Sequence, residues 1–283
     1  MGTYAVTGSA SGMGAAVVTK LKDAGHQVIT VDLRDADVVA DLSTADGRTA
    51  AVSGVLERAD GRLDGAVLAA GVGPMPGREE LIAQVNYFGV VDLLEGWRPA
   101  LAAAGTAHVV VFSSNSTTTV PAVPEEVIGS LLAGDTAGAL EAAKRMGEGA
   151  PSMAYAGSKI AVTRWMRRAA VTAEWAGSGI RLNAIAPGAI LTPLLEKQLS
   201  TPETAKAIES FPVPVGGFGD PAQIADWVLM MLSPSADFLC GALIFVDGGT
   251  DAYFRPDDWP APLGAERAGE YMRKMKEFVP VKR

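Results

Sequence analysis

The chain has 283 residues, 48% of them hydrophobic, and a formal net charge of −8 from 32 acidic and 24 basic side chains. That length holds one large α/β domain or two small ones, and the negative balance disfavours nucleic acid and acidic membrane surfaces, both of them polyanions. Cys240 is the single cysteine, which excludes an intrachain disulfide and fits a reducing cytoplasm. No apolar stretch reaches bilayer-spanning length, and a strand-like run begins at Tyr4 with no basic segment before it. The expectation is a cytoplasmic protein that does not enter a membrane.

Thr3 to Thr7 reads as a short buried strand, followed by Gly8-Ser9-Ala10-Ser11-Gly12-Met13-Gly14 and a helical pattern to about Ala24. Gly25 suits its C-cap. A second strand, Gln27 to Val31, ends at Asp32. Glycines mark ordinary turns as well as nucleotide sites. Here the glycine turn follows the first strand and an acid closes the second, the context a dinucleotide site requires. The turn lets backbone approach a pyrophosphate, and the helix N-terminus favours its charge. Gly8, Ser9, Ala10, Ser11, Gly12 and Met13 are the candidate contacts. Asp32 can accept from ribose hydroxyls and would repel a 2′-phosphate, which favours NAD over NADP; Arg34 is the nearby feature that argues the other way.

Val38 to Ala40 makes a third strand, ending in Asp41-Leu42, and Ser43 is the expected cap of a helix from about Thr44 to Ala59. Leu63 to Ala70 is a fourth strand closed by Gly71. A helix from about Glu79 to Ala103 carries Asn86, and Ala107 to Phe112 is a fifth strand ending in Ser113-Ser114. Between Asn115 and Met153 the pattern loosens into an insertion with one short helix, Ala139 to Met146. A helix then carries Tyr155 to about Ala176, and Ile180 to Ala186 is a sixth strand ahead of Pro187-Gly188. Asp220-Pro221 is a strong helix start, that helix ends near Ser233-Pro234, and Ala242 to Val246 is a seventh strand before Asp247-Gly248-Gly249. Strands alternating with helices predict a parallel sheet covered on both faces, with ligands beyond the strands' carboxyl ends. Asp32, Gly71 and Ser114 all follow such ends.

Within Tyr155-Ala156-Gly157-Ser158-Lys159, one helical turn places a phenol beside an ammonium. Lowering a tyrosine from about 10 to about 7 needs roughly 4 kcal/mol. One cation at about 4 Å supplies roughly that much at an effective dielectric of about 20. The pair is a candidate proton-transfer device. His26 and His108 have no plausible metal partner, so no metal site is expected.

Taken together, these motifs resemble the short-chain dehydrogenase/reductase family over roughly Thr3 to Thr250. Thr7-Gly8-Ser9-Ala10-Ser11-Gly12-Met13-Gly14 matches the family's T-G-x-x-x-G-x-G, and Asn86, Ser114, Tyr155 and Lys159 match its catalytic tetrad in order and context. Pro187 and Gly188, with Ile190 and Thr192 beyond, look like the loop that receives the nicotinamide; Asp247-Gly248-Gly249 resembles the closing motif. Ala36 to Leu42, Val85 to Gly89, the long gap from Ser114 to Tyr155, and Ile185 to Ala189 followed by Thr192 to Leu195 resemble the bacterial 3α-hydroxysteroid dehydrogenase/carbonyl reductase branch. One departure is Leu68-Ala69-Ala70-Gly71 where the family has asparagines, so that turn must be held another way.

The resemblance implies an α/β fold: a single-domain Rossmann fold whose doubly wound, seven-stranded parallel sheet is flanked by helices. The domain would span 1–252, with an insertion at about 115–153, a lid at about 192–218 and a partly helical extension over 253–283. It implies an NAD(H)-dependent oxidoreductase interconverting a secondary alcohol and a ketone. In that scheme Tyr155 is the general acid or base, and Lys159 lowers its pKa and holds the nicotinamide ribose. Ser114 fixes the substrate oxygen, Asn86 kinks its helix and orders water toward Lys159, Asp41 and Leu42 hold the adenine, and Gly71 lines the cofactor. The apolar run after Thr192 (Leu194, Leu195, Leu199, Ile208, Phe211, Val213, Val215, Phe218) suits either a lid over an apolar steroid or bulky cyclic substrate or simple core filling. A coniferyl-type aryl alcohol dehydrogenase, a non-catalytic NAD(H) sensor and an epimerase or dehydratase are the rival readings. The insertion falls where family members bury a helix face against a partner. The expectation is therefore a homodimer through the last helix and strand, with a tetramer as the alternative. In the tail, Ala268, Tyr271, Met272, Met275 and Phe278 form one apolar stripe, suited to packing on its own domain, to another subunit or to covering the active site.

Overall fold

The computed structural model describes residues 1–200, 205, 206, 208, 210–258 and 262–279. Its strands are β1 (Thr3–Thr7), β2 (Gln27–Asp32), β3 (Val38–Val39), β4 (Gly65–Leu68), β5 (Ala107–Phe112), β6 (Ile180–Pro187) and β7 (Leu243–Val246). They form one seven-stranded sheet in the order β3-β2-β1-β4-β5-β6-β7. Every pairing is parallel. The strand order reverses between β1 and β4, and a cleft opens there beyond the carboxyl ends.

Buried runs such as Ala107–Phe112 leave no polar face, so both sides of the sheet are covered. Alternate residues feed opposite layers. Ala5, Ala66, Val109 and Leu182 pack with α2 (Ala45–Arg58), α4 (Gly89–Ala103) and α8 (Ala150–Ala169). Val6, Val67, Val110 and Ile185 pack with α1 (Gly12–Asp23) and α10 (Pro221–Leu232). Other helices among the described residues include α3 (Glu79–Ala83), α5 (Ser116–Thr119), α6 (Glu125–Leu132), α7 (Thr136–Lys144), α9 (Pro193–Leu199), α11 (Thr250–Phe254) and α12 (Ala268–Glu277). Among the described residues no helix is long and apolar enough to cross a membrane.

Local chemistry sets the boundaries. Asp220 caps α10 in a capping box with Gln223, as its Asp-Pro start predicts. The cap of α2 is Thr44, not Ser43: the Ser43 N–H is taken by Asp41 Oδ1 at 2.9 Å, and Thr44 Oγ1 accepts from Gly47 N at 3.0 Å. The expected helix through Asn86 is interrupted by a π-helical turn, Gln84–Phe88. The insertion holds three helices where one was expected. In α6, Val127, Ile128 and Leu131 form a buried face, and Asp135 caps α7, which starts at Thr136, three residues before the expected Ala139. Helix α8 ends at Ala169, short of the expected Ala176.

Part of the expected lid, residues 201–204, 207 and 209, lies outside the described residues, as do 259–261 and 280–283 of the tail. After it, Val215 N donates to Gly248 O at 3.1 Å and the Phe211 ring lies 5.8 Å from Phe254, so this stretch docks on the Asp247 loop. The apolar stripe of α12 does not pack on the domain: Tyr271, Met272, Met275 and Phe278 are all exposed.

Candidate active site

The turn after β1 is shaped by steric demands. Gly8 has φ +65°, and a Cβ there would lie 2.7 Å from Ala70 N; a Cβ on Gly14 would overlap the Gly8 carbonyl oxygen. The missing asparagines after β4 are replaced by Thr7, whose Oγ1 accepts from Ala70 N at 3.1 Å. At the end of β2, Asp32 Oδ2 accepts from Ala10 N at 2.9 Å and Oδ1 from Leu33 N at 2.7 Å. The carboxylate thus locks the glycine turn to the next strand. Arg34 points away, 84% exposed and 3.9 Å from Asp35.

A cleft of about 430 Å³ runs past Gly8, Ser11, Gly12, Met13, Asp32 and Thr192, and also past Asp41, Leu42 and Gly71. Thr192 closes it from above: a Cβ on Gly12 would lie 3.3 Å from Thr192 Cγ2. Ser9 is buried, its hydroxyl donating to Val31 O at 3.3 Å, and Ala10 contributes its N–H to Asp32, so both brace the turn. Asp41 Oδ1 accepts from Ser43, and that hydrogen bond holds its carboxyl below the ordinary range. Pro187 O accepts from Asn115 N at 3.0 Å, joining the ends of β5 and β6, and Gly188 packs tightly on Asp247. Ile190 is buried and bridges to Gly219.

Gly71 joins this cleft to a polar cluster. A Cβ on Gly71 would lie 3.4 Å from Asn86 Oδ1 and 3.7 Å from Lys159 Nζ. Asn86 is fully buried in the π turn; its Oδ1 accepts from Val72 N at 2.8 Å and its Nδ2 donates to Val72 O at 3.0 Å. Such turns widen a helix locally and recur at functional sites. Lys159 Nζ donates to Phe112 O at 2.7 Å and lies 6.0 Å from the centre of the Tyr155 ring. Tyr155 shares a hydrogen bond with Ser114, whose Oγ also accepts from Ser116 N at 3.1 Å.

The electrostatics of the pair differ from the expectation that Lys159 lowers the Tyr155 pKa. Burial pushes the phenol above its ordinary value, opposed by the Ser114 hydrogen bond. Burial also brings Lys159 down to about 8. Desolvation favours the neutral form of each group, Lys159 being buried and Tyr155 half-buried. Lys159 therefore changes charge near neutrality, and it rather than Tyr155 is the readily titrated member.

Polar groups that sequence reasoning missed lie close by. Asn115 Nδ2 and Ser116 Oγ are buried beside Ser114 with no hydrogen-bond partner among the described residues. An unpaired buried donor is costly, so such groups call for a ligand or water. Val72 and Met75 line the cleft from the loop after β4. Their only sequence signal is proximity to Gly71. Among the described residues no group of His, Cys, Asp and Glu could hold a metal ion.

A doubly wound α/β sheet, a glycine turn braced by a strand-end carboxylate, and an adjoining Ser/Tyr/Lys/Asn cluster define a dinucleotide-type oxidoreductase. Residues 8–251 match a family model described as enoyl-(acyl carrier protein) reductase. The chain is 40% identical over 256 residues to the 3-alpha-hydroxysteroid dehydrogenase/carbonyl reductase of Comamonas testosteroni, covering 90% of this chain and 99% of that protein. It is 29% identical to the cis-4-hydroxycyclohexanecarboxylate dehydrogenase of Sinomonas cyclohexanicum, with 87% and 95% covered. The crystal structure of the 3-alpha-hydroxysteroid dehydrogenase from Pseudomonas sp. B-0831, complexed with NADH, superposes with a TM-score of 0.85 at 43% identity, covering 91% of this chain and all of that one. The chain belongs to the short-chain dehydrogenase/reductase family and is an oxidoreductase.

Proposed function

We propose that the chain interconverts a secondary alcohol and a ketone with NAD(H), on an apolar steroid or bulky cyclic substrate. The observation that carries this is the meeting, through Gly71, of the cleft with the Asn86/Lys159 cluster. The cleft fits a dinucleotide. Side-chain-free Gly8 and Gly12 sit where the turn faces it, and Asp32 keeps lone pairs for ribose hydroxyls. The Asp32 charge opposes a 2′-phosphate, and Arg34 is turned to solvent, which supports NAD over NADP.

When bound, the nicotinamide supplies or accepts the hydride. Tyr155 Oη gives the proton to the ketone oxygen or takes it from the alcohol. Ser114 Oγ already accepts from Ser116 N–H, which leaves its own proton to donate toward the substrate oxygen and position it. Lys159, near its titration point, holds the ribose hydroxyls and passes the proton on, and Asn86 holds the water that receives it. Asp41 and Leu42 wall the adenine, and Pro187, Gly188, Ile190 and Thr192 form the nicotinamide loop.

The substrate class is supported by the two hydroxysteroid enzymes and the cyclohexane-alcohol dehydrogenase among the relatives. Exposed Phe211 and Val215 beyond α9 supply apolar surface for a lid over 192–218. The catalytic domain ends at about 252, and 253–283 is an extension. A homodimer through α10 and β7 is the proposed assembly. The insertion covers α8, with Val127 against Gly157 and Glu125 paired to Arg164, while Trp227 and Met230 on α10 are exposed. The single cysteine supports a cytoplasmic location.

The test is a screen of 3α-hydroxysteroids, aromatic alcohols and simple secondary alcohols with NAD and with NADP. Net NADH production, fastest on a steroid or cyclic alcohol, is the expected result. Absence of net reduction of either nucleotide by every alcohol would sink the reading.

A further inference from the structure

Arg48, on α2, is 8% exposed and belongs to no element of the proposed mechanism. Its Nη1 donates to Leu42 O at 3.1 Å and to Gln84 Oε1 at 3.1 Å; its Nε donates to Asp92 Oδ2 at 2.6 Å. The guanidinium also lies 5.8 Å from the centre of the Phe88 ring. Leu42 lines the cleft at the end where the proposed cofactor reading puts the adenine. Gln84 and Phe88 are the first and last residues of the π turn, with Asn86 at its middle. One buried cation thus bridges the adenine end of the cleft and the turn that carries a tetrad residue.

Two further contacts make the bridge rigid. Gln84 Nε2 donates to Thr136 Oγ1 at 3.4 Å, so its amide is held at both ends, by Arg48 and by the insertion. Gly89, directly after the π turn, packs on Leu42: a Cβ there would lie 3.4 Å from Leu42 Cβ. A π turn is a strained insertion that persists where its surroundings hold it. A planar guanidinium can reach several acceptors at fixed angles, which an ammonium cannot. Burying that charge is tolerable because Asp92 and two amide-type oxygens pair with it.

We infer that Arg48 is a positioning residue that couples occupancy of the adenine pocket, through Leu42, to the π turn and hence to Asn86. This rests on the cofactor reading proposed above. Adenosine monophosphate fills only the adenine end, so it separates the coupling from direct contact at the nicotinamide end.

The test compares the full-length chain with Arg48→Lys, Gln84→Leu and Gln84→Glu. Affinity for AMP and NADH is measured by calorimetry, and amide hydrogen exchange is followed over residues 84–88. In the parent chain, AMP should slow exchange across 84–88. Arg48→Lys should weaken AMP and NADH about tenfold, the scale of one lost charged hydrogen bond, and abolish the slowing even at saturation. Gln84→Leu should keep AMP affinity within about twofold while also abolishing the slowing. Gln84→Glu keeps the oxygen that accepts from Arg48 and should restore most of it. AMP bound to the parent chain with exchange at 84–88 unchanged, or slowed equally in Gln84→Leu, overturns the coupling. A parent chain that binds neither AMP nor NADH overturns the cofactor reading itself, and the coupling with it.

Discussion

The two ends of the cleft are held by different kinds of contact. At the glycine turn the determinants are backbone: Gly8 and Gly14 are forced by atoms a side chain would strike, and Asp32 grips two N–H groups. At the other end they are side chains drawn from the segment after β5, the π turn and α8, far apart in sequence, with half-buried Tyr155 and buried Lys159 and Asn86 at the centre. Backbone shape tolerates no added atom but asks little of protonation. The side-chain cluster tolerates changes of volume but depends on charge. Mutations at the two ends should therefore fail in different ways.

The largest expected effect is steric. Gly14→Ala places a methyl on the Gly8 carbonyl oxygen, so the turn must move. NADH affinity, followed by fluorescence, should fall by about 100-fold or more, with no dependence on pH between 6 and 9. A variant that binds NADH like the parent would contradict a backbone-defined end.

Next is the charge at the other end. Lys159 titrates at about 8 in the folded chain against 10.5 ordinarily. Below pH 8 it is charged in both states and contributes no pH dependence. Between pH 8 and 10.5 the unfolded chain holds a proton the folded one has lost, so stability rises with pH. Relative to Lys159→Met, the parent should gain up to about 3 kcal/mol over that window in denaturant titrations. A flat difference would remove the buried-ammonium account.

Smaller still is the change at Asp32. Asp32→Ala removes the charge that opposes a 2′-phosphate and loosens the turn at Ala10 N. The ratio of NADPH to NADH affinity should rise about tenfold, the scale of one charge interaction. An unchanged ratio would mean that the nucleotide preference is set elsewhere in the cleft.

What the sequence shows follows the same division. The turn from Gly8 to Gly14 and the acid at position 32 are legible because local spacing fixes their geometry, and the same holds for the i, i+4 pair Tyr155 and Lys159. The parallel sheet follows from alternating elements, while its strand order is seen only in the folded chain. The Arg48 bridge is not legible, since Leu42, Gln84 and Asp92 converge only in the folded chain. The π turn is legible only as the kink at Asn86 that the family resemblance implies: 84–88 itself carries an ordinary helical pattern, and the bonds from Asn86 to the Val72 backbone form only on folding. Helix α6 was hidden by Gly129 and Ser130, which break the apolar pattern that Val127, Ile128 and Leu131 complete. The upward shift of Tyr155 is not legible either, because it comes from desolvation, opposed by the Ser114 hydrogen bond, and burial has no local sequence signature.

In the proposed mechanism a half-buried phenol moves the proton while a separate, backbone-built cleft holds the nucleotide. Tyr155→Phe tests it with paired measurements: NADH affinity by fluorescence, and steady-state oxidation of a 3α-hydroxysteroid with NAD. NADH affinity should stay within about threefold of the parent and turnover should fall by about 1,000-fold or more. Turnover retained to within about tenfold, with NADH still bound, would contradict it.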